Sequence, residues 1–298
     1  MERKVNNSVT GCQPHITDLP TRLRRYPVVL SIAGSDSSGG AGIQADLKTL
    51  SALGVYGATA ITAITAQNTV GVDSQMAVDP EMVRDQIIAV MEDIEPSAIK
   101  IGMLANARIA NAVADVLSHY TTPIILDPVM VSSSGHRLLA PEAQVILKER
   151  LLPLATLLTP NIPEMAALTD MSLTTLEEKG SAARHLISSG AHAILLKGGH
   201  EEGDTKRDIL YRSTPDGISV EYFSSPTIAT RNIHGTGCTL SSAIAAYVAR
   251  GYELKEAIGA AKEYISEAIR AGANIAIGHG YGPVNHLFNP LKMQINEE

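Results

Sequence analysis

Short apolar runs alternating with helical stretches predict an α/β fold, a doubly wound, mostly parallel sheet flanked by helices. Three observations carry that expectation. Hydrophobic residues make up 45% of the 298-residue chain, with no Trp and only two Phe, so Ala, Ile, Leu and Val must build the core. That suits helices packed on a buried parallel sheet. Strand-like runs recur between helix-like stretches. Nearly every strand ends in a glycine-rich or polar break.

The first strand is read at residues 28–33, which are continuously apolar. The break at 34–42 holds four glycines and three serines around Asp36. A helix follows over 43–53, stopped by Gly54, and an Ile/Thr-rich strand over 58–65. Asp79 as cap and Pro80 at the first helical position start a helix that runs to about residue 93. Then come a strand at 98–103, a helix at 106–120, a strand at 124–126 and a helix at 141–152. The pattern continues with a strand at 156–159, a helix at 176–188 and a strand at 193–196. Runs at 208–212 and 218–223 surround Thr214-Pro215-Asp216-Gly217 and read as a hairpin. Helices at 240–250, stopped by Gly251, and at 254–271 close the chain.

No break in composition divides residues 27–298, so one domain is expected there, with residues 1–26 as an extension outside the core. The net charge is −7, and no Lys/Arg cluster is long enough to track a nucleic acid. No apolar run reaches about 18 residues, so neither nucleic acid nor membrane is an expected partner. The N-terminus shows no signal-peptide pattern. The two cysteines, Cys12 and Cys238, are too few for a disulfide framework, and a reducing, cytoplasmic setting is expected.

In an open sheet of this kind the ligand lies beyond the carboxyl ends of the strands. Gly34 with its loop, Gln67, Met103, Asp127, Asn161 with Glu164, and Lys197 with Gly199 all fall there. The stretch Gly235-Thr236-Gly237-Cys238 opens directly onto a helix. Such a junction aims unpaired amides and the positive dipole end at one point, a natural anion cradle. An ordinary helix capped by Thr236 or Thr239 is the competing interpretation. Asp46 lies one turn into its helix and is either a crevice residue or a first-turn acid. Asp127 and Glu164 are acids of the kind that hold Mg²⁺, Glu164 being alternatively a first-turn helix residue. Neither the P-loop spacing nor Gly-x-Gly-x-x-Gly nor His-Glu-x-x-His occurs.

Together these segments resemble one family. Residues 33–49, AGSDSSGGAGIQADLKT, are similar to the N-terminal signature of the hydroxymethylpyrimidine/phosphomethylpyrimidine kinases of the ribokinase-like superfamily. KIGML at 100–104, LDPVM at 126–130, TPNIPE at 159–164, KGGH at 197–200 and HGTGCT at 234–239 match later blocks in order. The resemblance spans about residues 28–290. It implies ATP and Mg²⁺ as cofactors, with Asp127 and Glu164 at the metal and Asn161, Lys197, Gly199 and Thr236 at the nucleotide. It implies a pyrimidine over Gly34, touching Asp46, Gln67, Met103 and Val129. Gly235, Thr236 and Gly237 would form the anion hole, and Cys238 the base, where many ribokinase-like kinases carry Asp. A homodimer is suggested by the resemblance alone.

A thiol at a helix N-terminus should titrate below its ordinary ~8.5, which suits a base. The expected activity is phosphorylation of 4-amino-5-hydroxymethyl-2-methylpyrimidine and then of its monophosphate, for thiamine diphosphate synthesis. A pyridoxal kinase of the same branch is the closest rival, and a non-catalytic pyrimidine- or nucleotide-binding regulator the rival of another class. A sugar kinase is disfavoured, because no β-rich lid separates the first strand from its helix. Residues 131–137, small and polar, are a candidate lid.

Overall fold

A computed structural model describes residues 24–131, 138–199 and 203–295. All its strands join one sheet of nine, in the order β3-β2-β1-β4-β5-β6-β7-β8-β9. The central strands are β1 (Val28–Asp36), β2 (Tyr56–Gln67), β4 (Ala98–Ile101), β5 (Ile124–Leu126), β6 (Leu157–Leu158) and β7 (Ala193–Leu196), all parallel. β3 (Val72–Ala77) runs antiparallel on one edge, and the hairpin β8 (Thr205–Thr214) and β9 (Gly217–Pro226) on the other.

β1, β4, β5, β6 and β7 are buried on both faces, and alternate residues feed two separate cores. Leu30, Ile32, Ile99, Ile101, Ile124, Leu126, Ile194 and Leu196 join the core under α2 (Pro80–Asp93), α3 (Ala107–Leu117), α4 (Pro141–Ile146), α5 (Ile162–Thr169) and α6 (Leu176–Ser188). Val29, Ala98, Ile125 and Leu195 join the other, under α1 (Gly42–Ala52), α7 (Thr236–Ala249) and α8 (Leu254–Gly272). The sheet is therefore doubly wound, as expected. The helix signals hold at particular residues: the Asp79 side chain accepts the Glu81 N–H with Pro80 behind it, and Gly54 and Gly251 adopt positive φ just past α1 and α7.

One element escaped the sequence reading, and another was expected only as the alternative setting of Glu164. β3 is almost wholly exposed, so it has no apolar alternation, and only its backbone pairing with β2 defines it. α5 is short and is set by a capping box between Asn161 and Glu164.

The chain reverses winding between β1 and β4, its two neighbours in the middle of the sheet. That switch point opens a crevice at the strands' carboxyl ends. The N-terminus of α7 faces the same crevice.

Candidate active site

β5, β6 and β7 end beside one another, and each delivers one charged group. The Lys197 ammonium donates to Asp127 Oδ1 at 2.7 Å and lies 3.8 Å from Glu164 Oε2. Thr159 and Ser241 hydroxyls donate to Asp127 Oδ1 and Oδ2, both at 3.2 Å. Burial pulls the Lys197 ammonium down, but the charges of Asp127 and Glu164 outweigh it and hold it above its ordinary range. Glu164 is raised as well, but there burial wins over the opposite charge. Burial pushes its carboxyl up, Lys197 opposes, Asp127 adds to the rise, and the result is about 7. Asn161 and Glu164 also cap α5: Asn161 Oδ1 accepts the Glu164 N–H and Glu164 Oε2 accepts the Asn161 N–H, each at 2.8 Å.

Gly235 stands at the N-cap of α7, in the left-handed region at φ 77°, and no side chain caps the helix. Thr239 is not the cap, since its hydroxyl donates to the Gly235 carbonyl one turn back, and Thr236 is simply the first helical residue. The alternative of a helix capped by a threonine side chain fails; the Thr236 N–H donates instead to the Ile233 carbonyl at 3.3 Å. A Cβ on Gly237 would sit 3.5 Å from Lys197 Nζ and 3.6 Å from Asp127 Oδ2, so the first turn of α7 abuts the charged cluster. A Cβ on Gly235 would run into the Gly40 carbonyl, so the two glycine loops touch backbone to backbone.

The other wall is built from β1, β2 and β4. Gly34 is packed against Met103, whose sulfur would lie 2.9 Å from a Cβ there. Gln67 ends β2, and the Ser37 hydroxyl bridges its N–H and carbonyl at 2.8 and 2.7 Å. Val129 is half-buried two residues past Asp127, to whose carbonyl it donates. Among the described residues, nothing lies within 4 Å of a Cβ on Gly199. Residues 132–137 of the candidate lid, His200, and Cys12 lie outside the described residues.

Two expectations need correction. Asp46 does not line the crevice. It is completely buried, and it accepts both contacts from Lys100 Nζ (3.0 and 2.8 Å) and the hydroxyls of Ser31 (2.6 Å) and Ser242 (2.7 Å). It ties α1, β1, β4 and α7 together below the crevice floor. The Cys238 thiol does not titrate low either. Burial pushes it up to about 11; Lys100 opposes, Asp46 and Asp127 reinforce, and the Gly42 backbone amide hydrogen-bonds the sulfur. The helix dipole is real but smaller than the cost of a buried thiolate.

The sequence reading also missed a pair that joins the two loops, Asp36 and His234, 2.8 Å apart. Both stood in quoted motifs, but nothing in one sequence pairs residues so far apart.

An uncapped helix N-terminus, a lysine and two acids at strand ends, and a facing glycine loop define a phosphotransferase of the ribokinase-like class. Comparison with known proteins narrows the class. The family model for phosphomethylpyrimidine kinase matches residues 36–285, and the chain belongs to that family. It is 50% identical over 260 residues to the hydroxymethylpyrimidine/phosphomethylpyrimidine kinase of Rhizobium meliloti, covering 87% of this chain and 96% of that one. The crystal structure of phosphomethylpyrimidine kinase from Clostridium difficile superposes with a TM-score of 0.71 at 44% identity, covering 82% of this chain and 99% of that one. Pyridoxal kinase from Staphylococcus aureus, in complex with AMP-PCP and pyridoxal, gives 0.79 at 31% identity, covering 92% and 100%.

Proposed function

We propose that the enzyme transfers the γ-phosphoryl group of ATP to the hydroxymethyl oxygen of 4-amino-5-hydroxymethyl-2-methylpyrimidine, and a second one to the resulting monophosphate. The observation that carries this reading is the contact between the α7 first turn and the Lys197–Asp127–Glu164 cluster at Gly237. Lys197 and the amides of Gly235, Gly237 and Cys238 would neutralise the transferring phosphoryl group, with Thr236, whose N–H donates to the Ile233 carbonyl, holding the turn between them. Asn161, Gly199 and Thr236 would border the nucleotide. Gly34, Gln67, Met103 and Val129 would hold the ring. A homodimer belongs to the same reading.

Asp127 and Glu164 are the residues that would hold Mg²⁺, mostly through its own water shell. Their chemistry fits: two carboxyls crowd one lysine, and Glu164 at about 7 carries a proton that a cation would displace. When bound, the ion would supply positive charge to the phosphate oxygens.

Cys238 would take the proton of the acceptor hydroxyl. A thiol pushed up to about 11 is a strong base once ionised, so that step should accelerate as pH rises above neutral. The second acceptor is different in kind. A phosphate monoester loses its second proton near pH ~6 and needs no base. The test is Cys238→Ala with each acceptor in turn. Transfer to the hydroxymethyl group should fall ~10²–10⁴-fold, with transfer to the monophosphate largely kept. Equal losses would mean the sulfur places ligands and takes no proton. A kcat/KM for pyridoxal about tenfold or more above that for the pyrimidine would overturn the substrate.

A further inference from the structure

The loop at 34–42 and the loop ahead of α7 come from opposite ends of the chain, and one side-chain pair locks them together. Asp36 is the hub of its own loop. Its carboxylate accepts the N–H groups of Ser38 (2.8 Å), Gly40 (3.2 Å) and Ala41 (2.8 Å), and the Ser38 hydroxyl at 2.7 and 2.9 Å. Burial pushes the carboxyl up, but His234, Ser38 and Ala41 outweigh it and hold it at about 2. A carboxylate only accepts, so the proton between Asp36 Oδ2 and His234 Nε2 belongs to the imidazole.

His234 is held from behind as well. Its N–H donates to the Gly282 carbonyl at 3.0 Å, and it forms an isolated bridge with Pro283. Its ring covers Gly40, where a Cβ would collide with it. The residue after it is Gly235, the N-cap of α7. The same Nε2 lies 3.5 Å from Gln67 Nε2, while Thr65 donates to Gln67 Oε1 at 3.2 Å. Because His234 Nε2 bears a proton, it does not accept from Gln67.

We infer that Asp36 and His234 are positioning residues, a clasp that sets the acceptor loop in register with the phosphate-binding turn of α7. The inference rests on the site reading given above and concerns alignment of the two ligands, not affinity for either. In-line transfer punishes misalignment: a shift of about 1 Å costs on the order of 10²-fold. The Asp36 carboxylate already organises its own loop, so His234, whose ring nitrogen reaches across to it from the other loop, is the residue that reports on register.

The test compares His234→Leu, which has no donor, with His234→Gln, which keeps an N–H of similar reach, and with Asp36→Asn. In His234→Leu, kcat for the pyrimidine should fall about 10²-fold while KM for ATP moves by less than about threefold. His234→Gln should recover at least about tenfold of that loss. A His234→Gln enzyme as slow as His234→Leu at the wild-type Tm would overturn the clasp, as would a normal kcat in His234→Leu. Nitrogen NMR of the ligand-free protein reads the clasp without turnover. A protonated Nε2 on His234, shifted by Asp36→Asn, supports it, and a proton on Nδ1 alone overturns it. A wild-type enzyme inactive on the pyrimidine but with the expected NMR signature would instead sink the substrate reading.

Discussion

Two lysine–aspartate pairs, Lys100–Asp46 and Lys197–Asp127, use the same chemistry in opposite settings. Lys100 Nζ and Asp46 are 2.8 Å apart with side chains 1% and 0% exposed, and the remaining acceptor capacity of Asp46 is taken by Ser31 and Ser242. Lys197 and Asp127 are 2.7 Å apart, but the lysine keeps 12% of its side chain exposed and has a second acid, Glu164, at 3.8 Å. The first pair is balanced: one cation, one anion and two hydroxyls. The second sets two acids against one cation, and Glu164, raised by burial and further by Asp127 against the pull of Lys197, reaches about 7. A closed, balanced pair joins elements of the fold, whereas an open, unbalanced one has capacity left for a ligand.

The largest effect that would break this contrast lies in the closed pair. Lys100→Met strands Asp46 as an uncompensated buried anion, at a cost of about 3–5 kcal/mol. The double variant Lys100→Met with Asp46→Asn should be clearly more stable than the single one, because the stranded charge is gone. Urea unfolding at pH 7 measures both. A loss below about 1 kcal/mol for the single variant would mean that water reaches Asp46 and that the pair is open after all.

The same contrast separates what the sequence reveals from what it hides. Asp127 and Lys197 were legible because strand ends in a doubly wound sheet point to the crevice whatever the packing. Asp46 was not. Its place one helical turn past a glycine loop suits a ligand residue and a buried strut equally, and only the positions of Ser31, Lys100 and Ser242 decide. The Cys238 titration was misread for a related reason: the dipole of α7 follows from the sequence, while the burial that outweighs it does not. Glu164 was legible both as a metal-site acid and as a first-turn helix residue, and it is the latter in α5, but its capping box with Asn161 is a side-chain geometry that the sequence does not show.

A smaller effect tests the open pair. Glu164 binds a proton more tightly folded than unfolded, so its contribution to stability is fully present below its ordinary 4.5 and is lost as pH rises through about 7. In the ligand-free enzyme this should amount to no more than roughly 3 kcal/mol, less what the coupled Lys197 and Asp127 charges absorb. Glu164→Gln should flatten the profile. Glutamine preserves the capping box, so the change reports charge and not the cap. Thermal melts from pH 4.5 to 8 read it, and a wild-type profile as flat as the variant's would show that Glu164 is already ionised. Mg²⁺ with a non-hydrolysable nucleotide should flatten the wild-type profile in the same way, since a bound cation excludes the proton.

The smallest effect sharpens the boundary of the open site. Gly199 follows Lys197 by two residues and Gly237 abuts it in space, but a Cβ on Gly237 meets Lys197 and Asp127 at 3.5 and 3.6 Å, whereas one on Gly199 meets nothing within 4 Å among the described residues. Gly199 also has no positive φ to preserve. Gly199→Ala should therefore change stability by less than about 0.5 kcal/mol. If Gly199 borders the nucleotide, the added methyl intrudes on ATP and not on the protein. KM for ATP should then rise while Tm and the pyrimidine KM stay put. An unchanged KM for ATP would remove Gly199 from the nucleotide set and end the open region at Lys197 itself.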